Sequence, residues 1–175
     1  MYKNIPIIYI AKSNGNVEQR SKEGPQDSLN YQGLRQARQL AAKMHEEAVP
    51  LIDKAYSSSD LNDYAAAVII SYFFAADAPV MLELLNKSHS QKPHEELHIR
   101  ARSILNYFQE KHYSDQFVLI TCSNEIGQAM YYTFYGLEDK SEKNTIEVQS
   151  AELIVLSNKI SYDAALIFKS QNSLA

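Results

Sequence analysis

Several common signatures are missing from this chain. Its single cysteine, Cys122, excludes an intrachain disulfide, which fits a reducing compartment or indifference to redox; a cytoplasmic location is expected. The five glycines stand at positions 15, 24, 33, 127 and 136, too far apart for a G-x-G-x-x-G loop or a Walker loop. Lysine and arginine total 17 against 21 aspartates and glutamates, a formal net charge of −4 with no basic run. Such a chain is a poor partner for nucleic acid, whose binding is dominated by phosphate neutralisation. No apolar stretch approaches the ~18 residues a membrane span needs. The apolar run at the start covers only Ile5 to Ala11 and lacks a small-residue cleavage site, so it reads as a strand rather than a signal peptide. There is no tryptophan, no internal repeat and no low-complexity segment.

What remains is ordinary globular material. The 175 residues are 45% hydrophobic and 22% charged, which suits one domain over 1–175 with a sizeable core. Short apolar runs alternate with longer helical periodicities, the pattern of an α/β sheet with helices on its faces. Ile5–Ala11 and Phe117–Cys122 are the clearest strands, and both are continuous apolar runs of the kind buried on two faces. Weaker strands are expected at Leu51–Ser57, Pro79–Leu84, Ile146–Val148 and Leu153–Leu156, with a return over Tyr162–Phe168. Residues 12–28 read as a long loop.

Leu34, Ala37, Leu40, Ala41 and Met44 recur at helical spacing and place a helix over about 30–45. A second helix is expected after a cap at Ser59 or Asp60, running to about Ala75. Its lack of charge after Asp63 predicts deep burial. A third opens at Pro93, where a first-turn proline belongs, and runs to His112 with Ile99, Leu105 and Phe108 inward. A fourth covers 124–134, capped by Ser123 and stopped by Gly136.

The order of these elements resembles the histidine phosphatases, the phosphoglycerate mutase-like superfamily. Ile8–Asn16 resembles that family's first strand, which ends in Arg-His-Gly. In Asp27–Ala37, the residues Asp27, Leu29, Gly33, Gln36 and Ala37 fall in register with the opening of its first helix. Tyr56–Leu61 is similar to its turn after strand two, Val118–Asn124 to its late strand ending in Ser-His-Gly, and Gln149–Leu153 to its last strand. The resemblance spans roughly 5–157. It implies a three-layer αβα sandwich with a mostly parallel sheet.

It also implies a pocket whose chemistry has changed. Lys12 stands where the family has its first phosphate-clamping arginine, Ser13 where it has the nucleophilic histidine, and Asn14 where it has the glycine. Asp63 takes the place of the second arginine and Ser123 that of the second histidine. Phosphoryl transfer through histidine needs a free imidazole nitrogen, and the transition state needs convergent cations. Serine offers no such nitrogen, and an aspartate repels phosphate. The resemblance therefore implies a cleft lined by Lys12, Ser13, Asp63 and Ser123 in which no catalytic residue is intact. The expectation is a pseudophosphatase that binds a protein or a small molecule less anionic than a phosphate ester, without a cofactor, with a homodimer as one form. A Lys12–Asp63 pair would close the cleft. The acid-bearing region of the family corresponds to the short stretch 85–92.

Other chemistry competes. An active phosphatase with a substituted pocket is one alternative. His94-Glu95-Glu96-Leu97-His98 satisfies H-E-x-x-H and makes a zinc hydrolase another. Pro93 puts that motif in a first helical turn, where Glu95 and Glu96 complement the helix dipole, so a solvated helix start is preferred. Cys122 lacks the arginine a cysteine-phosphatase loop would need, since position 128 is Gln128, and reads as a small core residue. No G-x-S-x-G elbow surrounds Ser123, and a Ser/Lys pair of Lys12 with Ser13 or Ser123 reads as a polar relic. Tyr131, Tyr132, Phe134 and Tyr135 are read as part core and part surface; His45 and His112 lie near helix ends, where a positive charge is favoured, and neither is assigned a functional role.

Overall fold

In a computed structural model, residues 2, 4–12, 31–46, 49–86, 93–137 and 153–158 are described. The elements are β1 (Ile7–Lys12), α1 (Tyr31–Glu46), β2 (Lys54–Ser57), α2 (Leu61–Phe73), β3 (Val80–Met81), α3 (Pro93–Lys111), β4 (Phe117–Cys122), α4 (Asn124–Tyr135) and β5 (Leu153–Leu156). The five strands are ordered β3-β2-β4-β1-β5. Three pairings are parallel; β5 alone runs antiparallel, on β1.

The continuous apolar strands are buried on both faces because helices cover both faces. Ile8, Ile10, Val118, Ile120 and Cys122 pack with Ile104, Leu105 and Phe108 of α3 and Ile126 and Met130 of α4. On the other side, Tyr9, Ala11, Ala55, Leu119 and Val155 meet Leu40, Ala41 and Met44 of α1 and Ile70 of α2. The result is the expected three-layer α/β sandwich. Gly127 lets α4 come close to the sheet: a Cβ there would lie 3.2 Å from Ile10 Cγ2. Gly136 ends α4 in the left-handed conformation, φ 66°, that favours glycine.

Several expectations need correction. Helix α2 is not buried all round: Leu61, Val68, Tyr72 and Phe73 are exposed, because an uncharged alanine-rich helix needs only one face on the sheet. Pro79–Leu84 is not one strand. Only Val80–Met81 pair, at the sheet edge, and a 3-10 turn at Glu83–Leu85 follows. Strand β2 begins at Lys54, with Leu51 exposed before it. Ile99 faces solvent, and Ile104 takes the inner place on α3. Tyr131, Tyr132 and Phe134 are buried, with Tyr2 stacked on Phe134, while Tyr135 is half-buried, so the cluster is mostly core. The expected strand at 146–148 and the return at 162–168 lie outside the described residues. None of the described helices is long and apolar enough to cross a membrane.

Candidate functional site

The chain paths create a crevice at the carboxyl edge of the sheet. After β1 and β2 the chain leads to α1 and α2 on one face. After β4, which lies between those strands, it leads to α4 on the opposite face. Ligands bind where neighbouring strands diverge in this way. The backbone of Lys12 ends β1 there, opposite Cys122. Ser13 and Asn14 lie outside the described residues, as does the side chain of Lys12, so a Lys12–Asp63 pair is outside them as well.

Asp63 is 2% exposed, in the first turn of α2. The turn that carries it is built on hydroxyls. Asp60 caps the helix, its carboxylate accepting from the Asn62 N–H at 2.8 Å. The Asp60 N–H donates to Ser58 Oγ at 3.1 Å, and Ser58 Oγ donates to Asp63 Oδ2. Ser58 thus relays a capping box: the residue three places into the helix reaches back to the cap through a serine. Thr121 Oγ1 donates to the Asp63 carbonyl at 2.8 Å and the Ser58 N–H to the Thr121 carbonyl at 3.1 Å, fastening this turn to β4. The Ser59 N–H donates to Asn86 Oδ1 at 2.7 Å, and Arg100 of α3 donates to the Asn86 carbonyl. Sequence reasoning singled out Asp63 and not Ser57, Ser58, Thr121 or Asn86, although the first three lie in the resembling segments Tyr56–Leu61 and Val118–Asn124.

Ser123 occupies the N-cap position of α4 in extended conformation, yet its side chain makes no capping bond, contrary to expectation. Its Oγ is buried without a partner. Cys122 is buried, and its thiol is pushed well above its usual range, first by burial and then by the charges of Asp63 and Glu125. Burial and these charges disfavour its thiolate, in keeping with the small core residue expected from the sequence.

The H-E-x-x-H segment begins α3. His98 Nδ1 lies 3.3 Å from Thr133 Oγ1 of α4, so one ring nitrogen is engaged between helices. The side chain of His94 lies outside the described ones. Among the described residues, no group of three or more His, Cys, Asp or Glu is placed to hold a metal ion.

At the opposite end of the sheet, His112 Nε2 lies 2.9 Å from Tyr56 Oη and Nδ1 lies 3.1 Å from Gln116 Oε1. Gln116 Oε1 can only accept, so Nδ1 carries the proton and Tyr56 donates to Nε2. Burial lowers the His112 pKa, against a smaller upward pull from Gln116. His112, near the end of α3 where a positive charge is favoured, is thus biased toward its neutral form. Burial, followed by Tyr107, pushes Tyr56 up to about 12.

No family model matches the sequence, and no curated protein matches it. Solved structures do. YhfR of Bacillus stearothermophilus superposes with a TM-score of 0.64 at 18% identity, over 86% of this chain and 90% of that one. The chain has the phosphoglycerate mutase-like fold. The mycobacterial glucosyl-3-phosphoglycerate phosphatase gives 0.60 at 15% identity over 89% and 91%. The phosphoglycerate mutase of Plasmodium falciparum gives 0.53 at 14% over 99% of each chain. Identities this low establish the fold and leave the chemistry of the crevice to its own residues.

Proposed function

We propose that this chain is a relative of the histidine phosphatases that binds a ligand in its cleft and does not hydrolyse phosphate esters. The observation that carries this reading is the buried carboxylate of Asp63, where the resemblance puts a phosphate-clamping arginine. Its partners support the same conclusion. Ser58 and the α2 cap hold Asp63 in place as a hydrogen-bond acceptor, so the group is built into the helix start. A phosphoryl group presents only negative charge and acceptors, and beside a carboxylate in a dry site it is repelled. The second histidine position holds Ser123, and in the sequence the first holds Ser13. Neither hydroxyl supplies the imidazole nitrogen that a phosphohistidine intermediate requires. The order of the resembling segments and the shared fold support descent from such a phosphatase; the substituted pocket supports loss of its chemistry.

The test is hydrolysis of a generic phosphomonoester by the metal-stripped protein from about pH 4 to about pH 8. The expected result is no turnover above a heat-killed control. Turnover that disappears in Ser13→Ala or Ser123→Ala would overturn the reading and show a rebuilt catalytic cleft.

A further inference from the structure

The outer side of α2 carries a row of apolar residues. Leu61 is 50% exposed, Val68 40% and Tyr72 85%, with the half-buried Ala65 between them. The sheet side of the helix is already filled by Ala66, Ala67, Ile70 and Phe74, so the row lies away from the core. Single exposed apolar residues need no reason, but a continuous row does. Leu61, Ala65, Val68 and Tyr72 follow one another at intervals of four, three and four residues. That is the spacing of a coiled-coil seam, which brings one helix against another.

Charge and sequence narrow what can lie on this seam. Residues 64–76 hold no charged side chain, and Asp77, which follows, is paired with Lys54 at 3.1 Å. In a chain of net charge −4, this stretch brings no repulsion to a contact with its own copy. It also gives a charged partner nothing to recognise. The connections into α1 and α3 offer little cover: 13–30 has only Val17 and Leu29 as hydrophobic residues, and 87–92 has none. The apolar run Ala164–Phe168 follows β5, at the far edge of the sheet from β3, whereas α2 packs over β2 and β4.

We infer that α2 is the interface of a two-fold dimer of this chain, in which it packs antiparallel against the same helix of a second copy. The intervals of the seam read the same in both directions. A two-fold axis across the middle of the row therefore sets Leu61 against the partner's Tyr72 and Ala65 against the partner's Val68. The small Ala65 lets the helices approach at the centre, and the larger residues close the two ends. Four residues on one helix fall short of the ~800 Å² that each partner buries in a standard interface, so the dimer is weak. The inference stands apart from the reading of the cleft.

Sedimentation velocity of the full chain from about 1 μM to about 500 μM tests this. The mass is expected to rise from monomer toward dimer, with a dissociation constant of about 10 μM to about 100 μM. Val68→Lys sets like charges near each other across the axis and is expected to weaken the dimer by at least about ten-fold, as is Val68→Glu. An equimolar mixture of these two variants is expected to restore association, because opposite charges then meet. Tyr72→Gln weakens it several-fold, while Ile99→Gln and Tyr113→Gln, at exposed apolar residues on other segments, leave it unchanged. Circular dichroism melts at about 1 μM, where the chain is monomeric, show that each variant folds. A chain still monomeric at about 500 μM overturns the inference. So does association indifferent to Val68→Lys, a mixture that stays monomeric, or an equal loss in Ile99→Gln.

Discussion

Single side chains in this molecule have roles set by their surroundings rather than their type. Cys122 ends a strand, a place suited to a nucleophile, yet it is buried with its thiol raised by burial and neighbouring carboxylates. Its alkylation in the folded protein at neutral pH is expected to be at least about 100-fold slower than in urea, as opening must precede reaction. Rapid labelling of the native state would contradict this. His112 makes the opposite point. Its folded pKa lies below the ordinary value, so on acidification the unfolded chain binds the proton first. The stabilising effect of its neutral form is full above the unfolded pKa of about 6.5 and is lost as pH falls through and below it. Urea midpoints are therefore expected to fall between about pH 7.5 and about pH 5.5 in the native sequence, and to fall less in His112→Gln, which cannot titrate. Equal slopes would remove His112 as the cause.

At the scale of the elements, α2 separates packing from composition. Ile70 is 1% exposed against the sheet, whereas Tyr72, two residues on, is 85% exposed. Ile70→Ala is expected to cost about 2–5 kcal/mol, the lost burial plus the cavity left. Tyr72→Gln is expected to change stability by no more than about 0.5 kcal/mol. Denaturant melts of the two variants check the difference, and similar costs would mean that the outer face of α2 is covered. The sequence showed the helix as an alanine-rich run with a cap at Ser59 or Asp60, and the structure puts the cap at Asp60. The inner face of α3 was only half legible: Leu105 and Phe108 point in, while Ile99 does not, because apolar type does not say where a helix leaves the sheet.

For the whole molecule, binding of a ligand to the folded state raises its stability by mass action. On the proposed reading, in which the Asp63 carboxylate repels phosphate, about 10 mM inorganic phosphate is expected to move the melting temperature by less than about 2 °C at constant ionic strength, since even a 10 mM dissociation constant would add only about 0.4 kcal/mol. A larger rise, saturating with phosphate, would show an anion site in the cleft. The sheet order makes the crevice the place to look. Strand β4, late in sequence, inserts between β2 and β1 and sends its chain to the opposite face. That arrangement brings Asp63 to Thr121, 58 residues apart.

The sequence by itself determined the alternation of strands and helices, the two-sided burial of β1 and β4, the cap of α2, the stop of α4 and the candidate residues at strand ends. These follow from local rules: apolar runs, periodicity, capping oxygens and the left-handed freedom of Gly136. The tertiary structure alone decided what those residues touch. The Ser58 relay to Asp63, the empty-handed hydroxyl of Ser123, the pairing of Tyr56 with His112 and the split between Ile70 and Tyr72 all depend on which strand lies beside which. Hydrogen bonds and burial act over a few ångströms in space, and no local pattern in the chain encodes those neighbours.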